Sequence, residues 1–314
     1  MAEASNPGRF IAGDWGSSVM RLYLCRQEAS GAVVEDMVRG EGIKTCGEPE
    51  VAFFAAAGPW FERHGPLPTV LSGMIGSTLG WRDSGYAACP ASPESIRDGL
   101  SPFEARGVPI TIAPGLRCQN LFGLPDVMRG EEMQVFGWLD ETARGADERH
   151  LVCLPGTHAK WATTKGRAVV SFFTSMQGEL HDLLLSNSLL GRTAGEFAKV
   201  VEIDDEAFRE GVTTMLADPT LSMQHGIFSM RSRVVMGELP VARSPSYLSG
   251  LLIGAEVRDG VAAHRARGLD VGTVVLIGAE RLVALYGLAL EMTGIKSTPV
   301  VDHDASVRGL AALA

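Results

Sequence analysis

Basic charge is what this sequence has least of. Its 28 Lys and Arg residues face 37 Asp and Glu, a net charge of -9 over 314 residues. A nucleic-acid binder would carry a basic face, so no nucleic-acid partner is expected. Small anionic substrates stay open, because a few well-placed Arg or Lys side chains and backbone N–H groups can dominate a local site. Cysteine is scarce as well. Cys25, Cys46, Cys89, Cys118 and Cys153 are odd in number and have no C-x-x-C spacing, so they read as reduced, mostly buried thiols. No apolar run reaches membrane-spanning length, so no membrane partner is expected. Met1–Pro7 has neither a basic n-region nor an apolar h-region, and a cytoplasmic protein is expected.

Several signatures of catalysis are missing. There is no G-x-x-x-x-G-K-[ST], and no G-x-G-x-x-G follows the first strand, which sets aside P-loop enzymes and the usual dinucleotide fold. H-E-x-x-H, zinc-type Cys/His spacing and G-x-S-x-G are absent too, which disfavours zinc enzymes and α/β-hydrolases.

What is present suffices for a sizeable core. Hydrophobic residues make up 46% and charged ones 21%, which argues against disorder, and the length suggests about two domains. The chain is organised around Phe10–Leu24, which reads as strand, tight polar turn, strand. Asp14 ends the buried first strand, and Gly16, Ser17 and Ser18 follow. Such a turn can hold a phosphate on its N–H groups and Mg²⁺, usually through water, on the carboxylate. An ordinary β-hairpin whose Asp caps its own turn is the alternative.

Further along, Ala32–Val34 and the segment around Gly42 could add a third strand, and Glu50–Arg63 has helical spacing. Thr69–Leu71 is a short strand running into Ser72-Gly73-Met74-Ile75-Gly76-Ser77, a loop suited to touching a ligand or simply to connecting. Tyr86–Ser101 looks irregular, and Val108–Ile112 is a strand before the turn Ala113–Leu116. Asp126 stands where an N-cap should, ahead of a helix through Val135, Phe136 and Leu139. The polar stretch Arg144–Arg149 is the best domain boundary.

The pattern then restarts. Leu151–Leu154 is a strand, Pro155-Gly156-Thr157-His158 a glycine turn, and Trp161–Thr164 and Ala168–Phe173 are strands. Two halves of like topology follow from this match of pattern. Helices are expected over Gly178–Leu190, much of Asp204–Met236, Tyr247–His264 and, capped by Asp304, Asp304–Ala314. Thr273–Ile277 is a strand ending in a third turn, Gly278-Ala279-Glu280-Arg281.

Phosphoryl transfer asks for little covalent chemistry and much positioning. Two opposed turns could grip phosphates by N–H and hydroxyl, with Asp14 on the metal and the third turn under the nucleoside. A separate carboxylate must receive the proton of the attacking hydroxyl. Asp126 is the candidate, and a plain N-cap is its other reading. His158 is either a phosphate-turn contact or a turn-bonded side chain.

The order of motifs resembles the sugar kinase/heat-shock/actin ATPase superfamily, with two ribonuclease-H-like halves around a nucleotide cleft. More narrowly, the chain is similar to the 2-dehydro-3-deoxygalactonokinase family. The matching motifs are Asp14-Trp15-Gly16-Ser17-Ser18 with Arg21, Ser72–Ser77 before Gly80-Trp81, Asp126-Val127-Met128-Arg129-Gly130-Glu131-Glu132, Leu154–Trp161, Gly178-Glu179-Leu180 and Tyr247–Glu256. The resemblance implies ATP-dependent phosphorylation of 2-dehydro-3-deoxy-D-galactonate at its 6-hydroxyl, in galactonate breakdown. It implies that Asp14 helps hold Mg²⁺, that Gly156 and Thr157 are phosphate contacts, and that Gly278 and Ala279 border the adenosine. Here the first turn carries Ser17-Ser18 where relatives often have Thr, and Gly278-Ala279 stands where many have Gly-Gly.

A 2-oxo acid needs cations for its carboxylate, and Arg21, Arg82, Arg129 and Lys160 are candidates, each also readable as a surface charge. Ser72, Gly73 and Met74 could line the sugar pocket. The expected architecture is α/β, with a sugar-acid domain over 1–146 completed by a helix over 304–314. A nucleotide domain over 147–303 would carry a helical insertion at about 190–240. Two other readings stay open: a kinase for another sugar on the same fold, and an actin-like nucleotide-binding regulator. A homodimer is possible.

Overall fold

The computed structural model describes residues 8–141, 145–199 and 202–314. Met1–Pro7, Arg144 of the expected boundary and positions 200 and 201 of the expected insertion lie outside the described residues.

β1 (Arg9–Trp15) buries Phe10, Ile11 and Ala12, as an apolar run at the centre of a sheet should. It pairs antiparallel with β2 (Val19–Glu28), with Trp15 opposite Met20, so Gly16-Ser17-Ser18 makes the whole connection. β3 (Gly31–Glu41) continues the meander and is longer than its few apolar residues suggested. α1 (Pro49–His64) leads to β4 (Thr69–Gly73), which lies parallel to β1 with Ser72 opposite Asp14. The stretch expected to be irregular holds β5 (Tyr86–Ala88) and α2 (Pro93–Asp98). β6 (Ser101–Ala105) and β7 (Val108–Ile112) complete a sheet of order β3-β2-β1-β4-β7-β6. Where a turn was expected after Ala113, β8 (Gly115–Gln119) pairs with β5 and with β9 (Pro125–Met128). α3 (Glu131–Glu141) follows.

In the second half come β10 (Arg149–Leu154), β11 (Ala159–Lys165) and β12 (Ala168–Ser175). A helical stretch follows, with α4 (Gln177–Asn187), α5 (Leu189–Ala194), α6 (Asp205–Ala217), α7 (Met223–Gly226) and α8 (Ser229–Val235). The long α9 (Ser244–Arg265) packs on α6. β13 (Thr273–Gly278), α10 (Glu280–Met292), β14 (Lys296–Val301) and α11 (Asp302–Ala311) close the chain. The sheet order is β12-β11-β10-β13-β14. Counted within its own half, this is 3-2-1-4-5, and β3-β2-β1-β4-β7 follows the same path. This repeated antiparallel meander with parallel additions is the ribonuclease-H-like plan.

The chain forms two compact units. One comprises Met1–Arg149, Ala162–Phe173 and Val300–Ala314, the other His150–Trp161 and Thr174–Pro299. Within the first, α11 docks on α3 with the backbones touching. A Cβ on Gly309 would run into the Met133 carbonyl, and one on Gly137 into the Ala305 carbonyl. The expected cap, Asp304, is corrected: α11 starts two residues earlier, directly out of β14, with Val301 at its N-cap. No helix of the described residues is long and apolar enough to cross a membrane.

Candidate functional site

In the first unit, the β1–β2 turn is held by a bond from Gly16 N–H to Val19 O, at 2.9 Å. The carbonyls of Gly16 and Ser17 accept from the N–H groups of Ile43 and Lys44, each at 3.1 Å. Asp14 projects from the end of β1 with its side chain 17% exposed, and Arg21 Nη1 donates to its Oδ2 at 3.0 Å. The neighbouring strand places Ser72 opposite Asp14, and the buried Ser72 hydroxyl has no hydrogen-bond partner. A buried hydroxyl without a partner is costly unless a ligand or water completes it.

Two glycines of positive φ bring further backbone to this point. Gly73 (φ 93°) ends β4, and Gly130 (φ 107°) precedes α3. A Cβ on Gly130 would lie 3.2 Å from Gly73 Cα and 3.7 Å from Asp14 Oδ1, so the chain passes Asp14 as bare backbone. Gly130 N–H donates to both carboxylate oxygens of Glu132 at 2.8 Å, and Arg129 N–H donates to Glu131 at 3.0 Å. Glu132 is fully buried. Burial, then the neighbouring Glu131 charge, pushes its pKa up to about 8.

The N-cap reading of Asp126 is corrected. Asp126 lies inside β9, opposite Cys118, and the helix starts five residues later at Glu131. Its carboxylate accepts from Asn120 Nδ2 at 3.3 Å and from Val127 N–H at 2.9 Å. A hairpin that pairs 115–119 with 125–128 took the residues that the sequence pattern gave to a helix entry.

The expected cations are distributed unevenly. Arg129 donates to Ser84 Oγ at 2.7 Å and Gly85 O at 2.8 Å, and it stacks on Tyr86 at 4.2 Å. It therefore braces the loop before β5. Arg82 is exposed, with its guanidinium over the Phe103 ring at 5.3 Å. Lys160 belongs to the second unit, is buried, and donates to His158 O at 2.8 Å. Met74 opens a short 3₁₀ turn, Met74–Gly76, directly after Gly73.

In the second unit, three of the singled-out glycines converge. Gly156 has open space where a Cβ would be. A Cβ on Gly178, in the first turn of α4, would meet Gly156 O at 2.5 Å and Thr157 Cα at 2.7 Å. One on Gly278 would lie 3.2 Å from Pro155 O, and Ala279 is the N-cap of α10. Thr157 O accepts from Glu179 N–H at 3.0 Å, and the His158 ring bonds the Glu179 carboxylate at 2.5 Å. Gly156 and Thr157 line a cavity of about 1050 Å³ with Gln177, His181, Arg281 and Tyr286 among its walls. That volume lies at the upper end for small-molecule sites. Gln177 and His181 are wall residues of this cavity, and their Nε2 atoms are buried without a hydrogen-bond partner. Burial lowers the His181 pKa, which favours its neutral form. Sequence reading missed Gln177, His181 and Tyr286. They sit on helices, outside the strand-to-turn pattern that marks Gly156 and Thr157.

The chain matches the family described as 2-keto-3-deoxy-galactonokinase over residues 14–313. It is 34% identical over 309 residues to the 2-dehydro-3-deoxygalactonokinase of Escherichia coli (strain K12), covering 98% of this chain and 97% of that one. A Rhizobium meliloti (strain 1021) chain assigned the same activity is 33% identical over 314 residues, with 98% and 97% covered. A crystal structure of a Sinorhizobium meliloti protein, also assigned as a 2-dehydro-3-deoxygalactonokinase, superposes with a TM-score of 0.83 at 31% identity, covering 97% of each chain.

Proposed function

The chain belongs to the 2-keto-3-deoxy-galactonokinase family, and from that premise we propose how its residues carry out the reaction. It is an ATP-dependent kinase of 2-dehydro-3-deoxy-D-galactonate. The hydroxyl phosphorylated is the 6-hydroxyl, the product serves galactonate breakdown, and the enzyme works in the cytoplasm.

The observation that supports the residue roles best is the meeting of Asp14, Gly73 and Gly130 beside the unpartnered Ser72 hydroxyl. In the first unit, Ser17 and Ser18 offer N–H groups and hydroxyls to a phosphate oxygen, while the Gly16 N–H is already taken by Val19 O. In the second unit, Gly156, Thr157 and the backbone at His158 form a phosphate turn of their own. The cavity takes the nucleoside, with Arg281, two residues beyond the Gly278-Ala279 turn, in its wall. The donor set fits Mg²⁺, which favours one or two carboxylates completed by phosphate oxygens and water. Asp14 would hold it, and no group of three or more His, Cys, Asp or Glu side chains among the described residues forms a metal site. When bound, the ion supplies neutralisation of the charge spread over the phosphates.

Ser72, Gly73 and Met74 line the sugar side, and Arg82 offers the edge of its exposed guanidinium to the substrate carboxylate. The proton of the attacking hydroxyl goes to a carboxylate of the first unit. Glu131, one residue from Gly130, is better placed for this than Asp126, which is separated from Gly130 by the end of β9.

The test is ADP release with Mg-ATP and a panel of acceptors, including the galactonate and gluconate epimers of the 2-oxo-3-deoxy acid and neutral sugars. Preference for the galactonate epimer supports the reading. Activity confined to neutral sugars would overturn the sugar-acid assignment.

A further inference from the structure

In the second unit, one buried carboxylate is tied to three elements around the cavity. Glu256 lies on α9, only 7% exposed. Its Oε1 accepts from Trp161 Nε1 at 2.8 Å, and its Oε2 accepts from Ser175 Oγ and Tyr286 Oη, each at 2.9 Å. Trp161 is on β11, the strand that leaves the Pro155–His158 turn. Ser175 ends β12, two residues before Gln177 opens α4. Tyr286 is on α10 and forms cavity wall, as do Ser249, Leu252 and Ile253 of α9 itself.

A buried carboxylate is costly, and well-packed apolar residues would often be at least as stable in its place. Its three donors come from three different elements, which a packing role alone does not require. We propose that Glu256 is a positioning residue of the nucleotide site. It holds the strand after the phosphate turn, the approach to α4 and the Tyr286 wall in one fixed arrangement. The inference rests on the reading of the cavity as the nucleotide site.

Glu256→Gln keeps the size but puts an NH₂ where one oxygen accepted. Ser175→Ala removes one donor from a residue outside the cavity wall. Both variants should raise the Kd for ATP, about tenfold for Glu256→Gln, the scale of one lost hydrogen bond to a charged group. The KM for the sugar acid and kcat at saturating ATP should stay within about threefold. Ser175→Thr, which restores a hydroxyl, should recover ATP affinity. Arg281→Glu, at the cavity wall, serves as the control. If it weakens ATP while Glu256→Gln and Ser175→Ala bind ATP like wild type, the positioning role is overturned and the cavity reading stands. If all three bind ATP like wild type, the cavity reading fails and the inference with it. Should Glu256→Gln not fold, the Ser175 pair decides, and wild-type ATP affinity in Ser175→Ala overturns the proposal.

Discussion

Glu132 shows how a single buried acid can tie stability to pH. Its folded pKa lies at about 8, above the ordinary carboxyl value of 4.5. The folded state therefore holds this proton more tightly than the unfolded chain does. Stability from this group is fully present below pH 4.5 and is lost as pH rises towards 8, on the order of 5 kcal/mol in all. Glu132→Gln keeps an oxygen for Gly130 N–H but cannot ionise. Thermal midpoints measured at pH 5 and pH 8 should fall less in this variant than in wild type, and equal falls would refute the assignment. Its neighbour Glu131 carries a different prediction. Glu131→Gln should lower kcat by about 10²- to 10⁴-fold, the usual scale of general-base catalysis, whereas Asp126→Asn should keep most activity. The reverse ranking in steady-state assays would return the base to Asp126. Arg82→Ala should mainly raise the KM for the sugar acid, and an unchanged KM would remove Arg82 from the site. The sequence pointed to Asp14, Gly156 and Thr157 because a strand ending in a glycine turn is a local signal. It misplaced Asp126 because that residue's register opposite Cys118 depends on pairing with β8, which no local pattern announces. Gln177 and His181 carry no local signal, because a place in a cavity wall is a property of the folded chain.

Among the elements, the α3–α11 contact has the tightest geometry near the proposed site. Gly309 and Gly137 let the two helix backbones touch, and α3 begins at Glu131, beside the loop that passes Asp14. Gly309→Ala should force the helices apart and cost about 1–3 kcal/mol, the usual scale of overpacking. It should also lower kcat, because the start of α3 moves with the helix. Thermal unfolding and steady-state kinetics on one preparation check both effects, and a stable, fully active variant would contradict them. This contact was only half legible. Alanine- and leucine-rich periodicity announced a C-terminal helix, but the partner of α11 is about 170 residues away in the chain, a distance of contact that local spacing does not encode. The small strands β5, β8 and β9 were harder still. They are short, partly exposed and built from residues such as Pro, Cys and Asp that carry no strand pattern. The two long meanders were easier, since apolar runs separated by glycine turns appear twice in the sequence.

At the scale of the whole chain, the repeated 3-2-1-4-5 order explains how two ligands can be handled by one plan. Each repeat offers a strand end followed by a glycine turn, and each has acquired different surroundings. The first unit has carboxylates and an unpartnered serine around its turn. The second has a large cavity whose wall includes Gln177 and His181, each with one buried nitrogen that lacks a partner. If these differences assign the ligands, amide hydrogen exchange should separate them. A non-hydrolysable ATP analogue alone should slow exchange mainly at 155–158, 177–182 and 280–286. The sugar acid alone should slow it mainly at 72–77 and 129–132. At a ligand concentration 100 times Kd, the stabilisation available for protection is about 2.7 kcal/mol, or close to a hundredfold in exchange rate where opening requires ligand loss. Protection at 72–77 by the nucleotide alone, with none at 177–182, would reverse the assignment of ligands to units.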